Sequence, residues 1–368
     1  QTCALPISAR EEPTDHPRGL LEQRTAQKTL RTFQNLPREL PTPPLGLDFG
    51  LFCKGFNNID HFSKFLEYCN HSNAKIREGA SKAIGEFCTQ YIAANDLPAG
   101  VPEEIKIGQC QMISEKVCIS MIELCMDQNA AVRSMSIYSL GNLTSALKDS
   151  CYENILETSR LHDISYAILS SFADNNGKVI KNAIRSIGHT GNLLAWSLTS
   201  RPRNDSLKLI VEIIKKLAQK LSNTLHVALG DKQTASLTWK ERSAAKKHGW
   251  GACHALSLVF EGLSFGIFQE FSDLAAACSE AIGHLVLCLY NHTSLNEKIV
   301  LAAMAAICHL PSQLLSQNKY QSEHVGEALA ISILFLQYSR NIPFDVNISK
   351  PHNKNISSKL LEKNEHFL

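Results

Sequence analysis

Apolar residues recur at helical spacing in a 15-residue pattern that occurs five times along the chain. The copies align without gaps and begin at Asn73, Asn129, Asn176, Ala245 and Asn296. Places 4, 8 and 12 are apolar or small in nearly every copy, and this spacing puts them on one face of an α-helix. Place 11 is always Ala or Ser, and place 13 is Gly in three copies. Small residues let a neighbouring helix approach closely, so the pattern predicts helices packed side by side.

A second amphipathic stretch precedes each copy. Before the copy at Asn129, apolar residues stand at Ile113, Val117, Met121 and Leu124, which is again the helical period. Successive copies start 56, 47, 69 and 51 residues apart, enough for one pair of helices and a loop of variable length. Repeats of this size stack into elongated arrays. We therefore predict an all-α fold, a right-handed α-solenoid (superhelix) of helical repeats, over residues 51–340.

The two ends of the chain differ in composition from the repeats. Residues 1–50 contain seven of the thirteen prolines, and we predict a Pro-rich disordered lead-in there. Its segment 41–44, Pro-Thr-Pro-Pro, is typical of a linker, and the alternative is a ligand for an SH3-type domain. We expect a helix at 323–338 to close the array and residues 341–368 to form a polar C-terminal tail.

Composition bears on location and on the state of the cysteines. Apolar residues make up 44% of the chain, but the longest apolar runs are about half of the roughly 18 residues that a membrane span needs. The sequence therefore predicts no transmembrane segment and a cytoplasmic or nuclear location. Most of the twelve cysteines stand singly inside amphipathic stretches, with no C-x-x-C motif. This placement is typical of free, buried thiols in a reducing compartment.

The polar face of the repeated helix predicts a binding surface. In a stacked array the second helices of successive repeats line one side, so residues at the same place of each copy form a ladder. We predict that such a ladder binds a protein or an extended peptide; the alternative is an ordinary solvated face. The predicted partner-binding residues, which we call the ladder, are Lys82, Glu86, Tyr138, Asn142, Arg185, His189, His254 and His309.

A concentration of positive charge suggests an alternative function. Residues 201–250 hold eleven Lys or Arg against four Asp or Glu, a net charge of +7 in a chain whose total is +2. Within this segment, the amphipathic stretch at 207–221 fits the first helix of a repeat, and 229–248 is left as a candidate basic, poorly ordered loop that contacts an acidic partner. The alternative function is therefore binding to nucleic acid or another acidic surface. The predicted basic patch consists of Lys215, Lys216, Lys246 and Lys247.

Motifs that would indicate catalysis do not occur in the sequence. There is no H-E-x-x-H, G-x-S-x-G, Walker A or G-x-G-x-x-G motif. His248, Cys253 and His254 are close in sequence, but helical geometry points them in different directions, which argues against a metal or thiol site. We therefore predict neither enzymatic activity nor a cofactor.

Two segments resemble known repeat families. The stretch VRSMSIYSLGNL is similar to the last helix of an armadillo repeat, and Asn142 matches the peptide-binding Asn of importin-α-type proteins. Only this copy has the Asn, which argues against a nuclear-signal receptor. The stretch KHGWGACHALSLVFEG resembles the K-V-R-W-N-A-C-x-A-L segment of the HEAT repeat-containing protein 6 family, although His248, Gly249 and Gly251 depart from it. The matching residues are Lys247, Trp250, Ala252, Cys253, Ala255 and Leu256.

These resemblances imply an α-solenoid of HEAT/armadillo type without established catalytic residues. Together with the ladder, they lead to the function that we expect from the sequence. The chain is predicted to be a non-enzymatic scaffold or adaptor that binds a protein along the second helices of its repeats.

Overall fold

The computed structural model describes residues 59–92, 103–150, 155–200, 203–230, 236–263, 272–291, 295 and 297–309. The predicted lead-in at 1–50, the closing helix at 323–338 and the tail at 341–368 lie outside these ranges, so those three predictions stay untested.

The described residues form ten α-helices, a short 3-10 turn at Ser171–Ala173 and no strand, which confirms the all-α prediction for this part of the chain. The helices are α1 Ile59–Cys69, α2 Ala74–Tyr91, α3 Glu103–Leu124, α4 Ala130–Asp149, α5 Thr158–Ser170, α6 Gly177–Ser200, α7 Asn204–Leu229, α8 Trp239–Leu263, α9 Ser272–Tyr290 and α10 Glu297–Cys308.

The helices are arranged as five consecutive pairs in two layers. Each even-numbered helix packs on the odd-numbered helix before it and on the even-numbered helices of the neighbouring pairs. The odd-numbered helices form the second layer, where contacts between successive pairs are fewer except between α7 and α9. This is the arrangement of stacked helical repeats that the sequence predicts. The right-handed sense of the superhelix stays a prediction.

The five copies of the sequence pattern coincide with the even-numbered helices. Asn73, Asn129 and Asn176 each accept a hydrogen bond at their side-chain oxygen from the backbone N–H two residues later, at 2.9 Å in all three cases. Asn is a favoured N-cap because its side chain satisfies a backbone donor that the first turn leaves free. The Asn at the first place of these copies therefore marks the start of each helix.

The fourth copy begins inside its helix, because α8 starts at Trp239. Thr238 and Glu241 form a capping box there. The Thr238 backbone N–H donates to Glu241 Oε2 at 2.7 Å, and the Glu241 N–H donates to Thr238 Oγ1 at 3.3 Å. The prediction of a basic, poorly ordered loop at 229–248 is therefore wrong over residues 239–248, where the chain is helical. The Thr-x-x-Glu signature at 238–241 could have been read from the sequence.

Glycine at place 13 brings successive even-numbered helices together. A Cβ atom added to Gly85 would lie 2.9 Å from the Cα atom of Ser139 in the next repeat, and one added to Gly141 would lie 2.9 Å from that of Ser186. Carbon atoms do not approach so closely without displacement. Place 13 of one repeat therefore contacts place 11 of the next, which explains why place 11 is always Ala or Ser.

The serines at place 11 also form hydrogen bonds between repeats. Ser139 Oγ donates to the carbonyl oxygen of Ser81 at 2.6 Å, and Ser186 Oγ donates to that of Ile137 at 2.8 Å. A buried hydroxyl that lacks a partner is costly, so these bonds allow polar side chains to lie in the closely packed layer.

Two equivalent Arg–Asp pairs connect successive repeats. Arg77 binds both carboxylate oxygens of Asp127, at 2.7 and 3.0 Å, and Arg133 binds those of Asp174, at 2.7 and 3.1 Å. Each arginine also donates through Nη1 to two backbone carbonyls in the turn that precedes its own helix. The bond from Arg133 is the main reason that the pKa of Asp174 lies below its ordinary value. The first three repeats are therefore joined by charged bonds as well as by apolar packing.

Candidate partner-binding surface

Seven of the eight ladder residues lie on even-numbered helices, and His309 directly follows α10; the members differ in exposure. His254 and His309 are exposed, Asn142 is buried, and the others are half-buried. At one end of the ladder, Lys82 and Glu86 pair along α2 at 3.3 Å.

Tyr138, Asn142 and Arg185 form the best-connected part of the ladder. The guanidinium carbon of Arg185 lies 4.5 Å from the centroid of the Tyr138 ring, in cation–π geometry. Arg185 Nη2 donates to Asn142 Oδ1 at 3.2 Å, and Asn142 Nδ2 donates to the carbonyl oxygen of Gly85 at 3.3 Å. These contacts join α2, α4 and α6 and hold the arginine in one position.

Asn142 has a structural role in this arrangement. Its side chain is 6% exposed, and both ends of its amide are bonded to neighbouring helices. A peptide backbone would have to displace these bonds to bind as the resemblance to importin-α-type proteins implies. The geometry therefore favours Asn142 as a positioning residue for Arg185, and its role in binding a partner stays a prediction.

Two polar atoms near the centre of the surface are buried without a hydrogen-bond partner among the described residues. They are Arg185 Nη1 and Asn192 Oδ1, both on α6. Unsatisfied buried polar atoms are uncommon in folded proteins and occur often at functional sites. Arg185 thus has a donor that a bound carboxylate or carbonyl could satisfy after a small rearrangement.

The two central histidines are held in their neutral form. Burial is the main reason that the pKa of His189 falls to about 4, and the positive charges of Arg185 and Lys148 lower it further. Partial burial and Arg185 also lower the pKa of His254. At pH 7 each ring therefore has one N–H donor and one nitrogen acceptor.

Trp250 extends this surface, although sequence reasoning did not include it. Its ring stacks on that of His254, with centroids 6.5 Å apart and planes 8° apart, and the side chain is 43% exposed. The two residues are four apart on α8 and therefore share a face. That spacing was the signal in the sequence that could have identified Trp250.

A polar bridge crosses from α4 to α8. Lys148 Nζ lies 2.9 Å from Glu261 Oε1, and Asn192 Nδ2 on α6 donates to Glu261 Oε2 at 3.2 Å. The Lys148–Glu261 bridge spans α6, which fits a layer that curves towards the side of the ladder. We call this side the concave surface, and Lys148, Asn192 and Glu261 are further residues on it that the sequence did not indicate.

His309 lies at the other end of the ladder, directly after α10. Its Nδ1 atom is 2.8 Å from Ser257 Oγ on α8. The ladder thus runs from α2 to the end of α10, with its most elaborate contacts in the middle three repeats.

The predicted basic patch is divided between two helices. Lys215 and Lys216 are exposed on α7 and line an open groove of about 520 Å³ between α7 and α9. Lys246 and Lys247 are exposed near the start of α8 and do not line this groove. The groove also contains Lys208, His284 and the carboxylates of Glu212 and Glu280. The positive charge is therefore less concentrated than the sequence suggests.

Most cysteines in the described part of the chain are buried in the core. Eight are buried free thiols, and Cys308 is exposed. Burial raises the pKa of Cys69, Cys125 and Cys278 to about 12, so these thiols stay protonated and unreactive. Within the described ranges, no group of three or more His, Cys, Asp or Glu residues is placed to hold a metal ion.

Among the described helices, one is long and apolar enough to cross a membrane, contrary to the expectation from apolar runs. It is α9, with 19 residues and a mean hydropathy of 1.3 over its most apolar window. The helix packs against α7 and α10, and Leu285 and Leu289 are fully buried in the core. Core helices of soluble proteins pass the same test, so length and apolarity alone are weak evidence for a span.

Comparisons with known proteins add little to this description. No protein-family model matches the chain, and no curated protein matches it. Among solved structures, the chain is similar to the crystal structure of an engineered protein, with 14% identity and a TM-score of 0.33 over 74% of this chain and 97% of that one. It is also similar to a chain from the complex in which Kap95p binding induces the switch loops of RanGDP to adopt the GTP-bound conformation. That match has 15% identity and a TM-score of 0.42, over 90% of this chain and 40% of the other. At these TM-scores neither likeness bears on function.

Proposed function

We propose that this chain is a non-enzymatic scaffold or adaptor of HEAT/armadillo type that binds an extended segment of a protein partner along its concave surface. The observation that carries the proposal is the central cluster of Arg185, Tyr138, Trp250 and His254 on three successive even-numbered helices. Stacked repeats commonly bind partners on such concave surfaces. A cytoplasmic or nuclear location belongs to the same proposal, because free thiols suit a reducing compartment.

The chemistry of the cluster indicates what the partner presents. Arg185 is a fixed guanidinium with an unsatisfied Nη1 donor, and guanidinium groups suit carboxylates. The rings of His189 and His254 are neutral, so each can donate a hydrogen bond without itself carrying a charge. Trp250 presents an exposed aromatic face beside them. The proposed ligand is therefore an extended peptide with an acidic side chain next to an apolar or aromatic one.

A peptide-binding experiment tests this proposal. The purified chain is screened against a library of extended peptides, and the affinities of the hits are measured for the wild type, Arg185→Gln and Trp250→Ala. Because a buried guanidinium–carboxylate bond is worth about 1.5–3 kcal/mol, we expect Arg185→Gln to weaken acidic hits by about tenfold or more. Trp250→Ala removes the exposed aromatic face and should weaken hits with apolar side chains.

Lys64→Gln provides the control, because it removes a positive charge from an exposed position on α1, in the other layer and outside the α7–α9 groove. Circular dichroism establishes that each variant is folded. Hits that bind all four proteins equally would overturn the concave surface as the binding site.

The groove between α7 and α9 supports a second candidate, which is binding to nucleic acid or another acidic surface. Lys208, Lys215 and Lys216 lie together there. If this groove binds a polyanion, affinity for single-stranded RNA should fall steeply with added salt. The double variant Lys215→Gln/Lys216→Gln should then bind less tightly than Lys246→Gln/Lys247→Gln. Equal binding by the two variants would exclude the groove.

A further inference from the structure

Helix α3 is apolar on two opposite faces, unlike the other helices of its layer. Its core face includes Ile113, Val117 and Met121, all fully buried. On its other face, exposed apolar side chains stand at every seventh residue from the first turn to just past its end. These side chains, which we call the α3 stripe, are Ile105 (52% exposed), Met112 (36%), Ile119 (47%) and Met126 (78%).

The spacing makes the α3 stripe continuous. Residues seven apart on a helix are offset by only about 20°, so they form a nearly straight seam of the kind that pairs helices in coiled coils. Half of the ten large apolar side chains that are exposed in the described residues lie on α3 or directly after it. Scattered exposed apolar residues are ordinary, but a seam along one helix marks an interaction surface.

Charges beside the α3 stripe show a two-fold complementarity. Lys116 and Glu123 are both exposed, and each follows a stripe residue by four positions, so they lie on the same edge of the seam. If a second α3 is placed antiparallel with its midpoint at Ile119, Lys116 of one helix comes level with Glu123 of the other to within one residue. The same placement brings Met112 level with Met126 and sets the two copies of Ile119 side by side.

We propose that two copies of this chain pair through α3, antiparallel and related by a two-fold axis at Ile119. The interface buries Met112, Ile119 and Met126 of each copy and forms two identical Lys116–Glu123 ion pairs. A two-fold interface must be complementary to itself, and this surface satisfies that requirement in both its apolar residues and its charges. An unrelated partner would not require Lys116 and Glu123 to be placed symmetrically about Ile119.

The size of the interface sets the strength of pairing. The stretch from Met112 to Met126 spans roughly 20 Å of helix, and one helix from each copy buries less area than a standard stable interface. The dimer therefore dissociates on dilution. It leaves the concave surface free, because α3 belongs to the odd-numbered layer, so this inference and the proposed function can fail separately.

Sedimentation equilibrium of the full chain over a dilution series tests the pairing. The wild-type mass should rise from that of one chain towards that of two with increasing concentration. Lys116→Glu and Glu123→Lys, made singly, set like charges opposite each other in both symmetric pairs, and each should raise the dissociation constant about tenfold. The double variant Lys116→Glu/Glu123→Lys restores opposite charges and should return the constant to near the wild-type value.

Lys181→Glu, at an exposed position on α6 in the other layer, is the control for a charge reversal elsewhere and should leave the dissociation constant unchanged. A wild-type mass of one chain at every concentration overturns the proposal. A dimer that neither single variant weakens also overturns it. A double variant whose dissociation constant is no lower than those of the single variants does so as well.

Discussion

Close contact at single residues sets the spacing of the repeats. Gly141 contacts Ser186 across two helices, while the serine hydroxyl bonds to the carbonyl of Ile137. Glycine lowers the stability of an isolated helix by about 1 kcal/mol relative to Ala. Its presence in the middle of α4 is therefore explained by packing between repeats and not by local helix preference.

A matched pair of glycine substitutions tests this explanation. Gly141→Ala should lower the free energy of unfolding by about 2 kcal/mol, because the added methyl overlaps Ser186. Gly108→Ala on α3 should raise it by about 0.5–1 kcal/mol, because no atom lies within 4 Å of the added methyl. Urea unfolding measures both changes. Equal effects of the two substitutions would show that contact with Ser186 does not determine the result.

The neutral state of His189 makes stability depend on pH. Its pKa falls from 6.5 to about 4 on folding, mainly through burial. The unfolded chain therefore binds a proton in a range where the folded chain does not. The contribution of this ring to stability is complete above pH 6.5 and is lost as the pH falls towards 4.

Replacing the ring should remove that part of the pH dependence. In urea unfolding, His189→Leu should lose less stability between pH 7 and pH 5 than the wild type does. A proton titration by NMR should also give a pKa near 4 for His189 in the folded wild type. A value near 6.5 would contradict this account.

At the scale of the element, the helices were predictable and several of their ends were not. Apolar spacing is a local property, so the pattern located all five even-numbered helices and the helices that precede them. The start of α8 was missed because residues 239–244 have no clear apolar face, and only the pair Thr238 and Glu241 marks it. Contacts such as Arg77 with Asp127 join residues 50 positions apart, and no local pattern specifies which residues meet across repeats.

The capping box should determine the order of the first turn of α8. Thr238→Ala removes the hydroxyl that accepts from the Glu241 N–H, and we expect a loss of about 1 kcal/mol in helix stability. The amides of residues 239–242 should then exchange hydrogen faster. Lys240→Ala, which leaves the box intact, serves as the control. Unchanged exchange in Thr238→Ala would show that other contacts hold this turn.

At the scale of the whole molecule, stability depends on how strongly neighbouring repeats are coupled. Because each repeat contacts mainly its neighbours, weakening one junction can separate the array into two cooperative units. Arg133 is the critical residue of one junction, since it binds Asp174 of the next repeat and two carbonyls of its own turn. Its side chain is 17% exposed, so these bonds are largely shielded from water.

Removing the charge of Arg133 should therefore lower the stability of the fold and change the shape of the urea unfolding curve. We expect Arg133→Gln to lower the free energy of unfolding by about 3 kcal/mol, because it leaves the Asp174 carboxylate poorly compensated. The single urea transition should also broaden or split. Arg160→Gln, which breaks the more exposed pair with Glu115, should leave the free energy of unfolding nearly unchanged. A sharp single transition in Arg133→Gln would show that apolar packing alone couples the repeats.

The bridge between Lys148 and Glu261 bears on the stiffness of the array. It joins α4 to α8 across α6, so any change in curvature there must stretch or compress it. Both side chains are partly exposed to water, and an ion pair of this kind contributes at most about 1 kcal/mol. The arc can therefore widen at small energetic cost while its core stays packed. Elasticity of this kind would let the proposed binding surface fit peptides of different breadth.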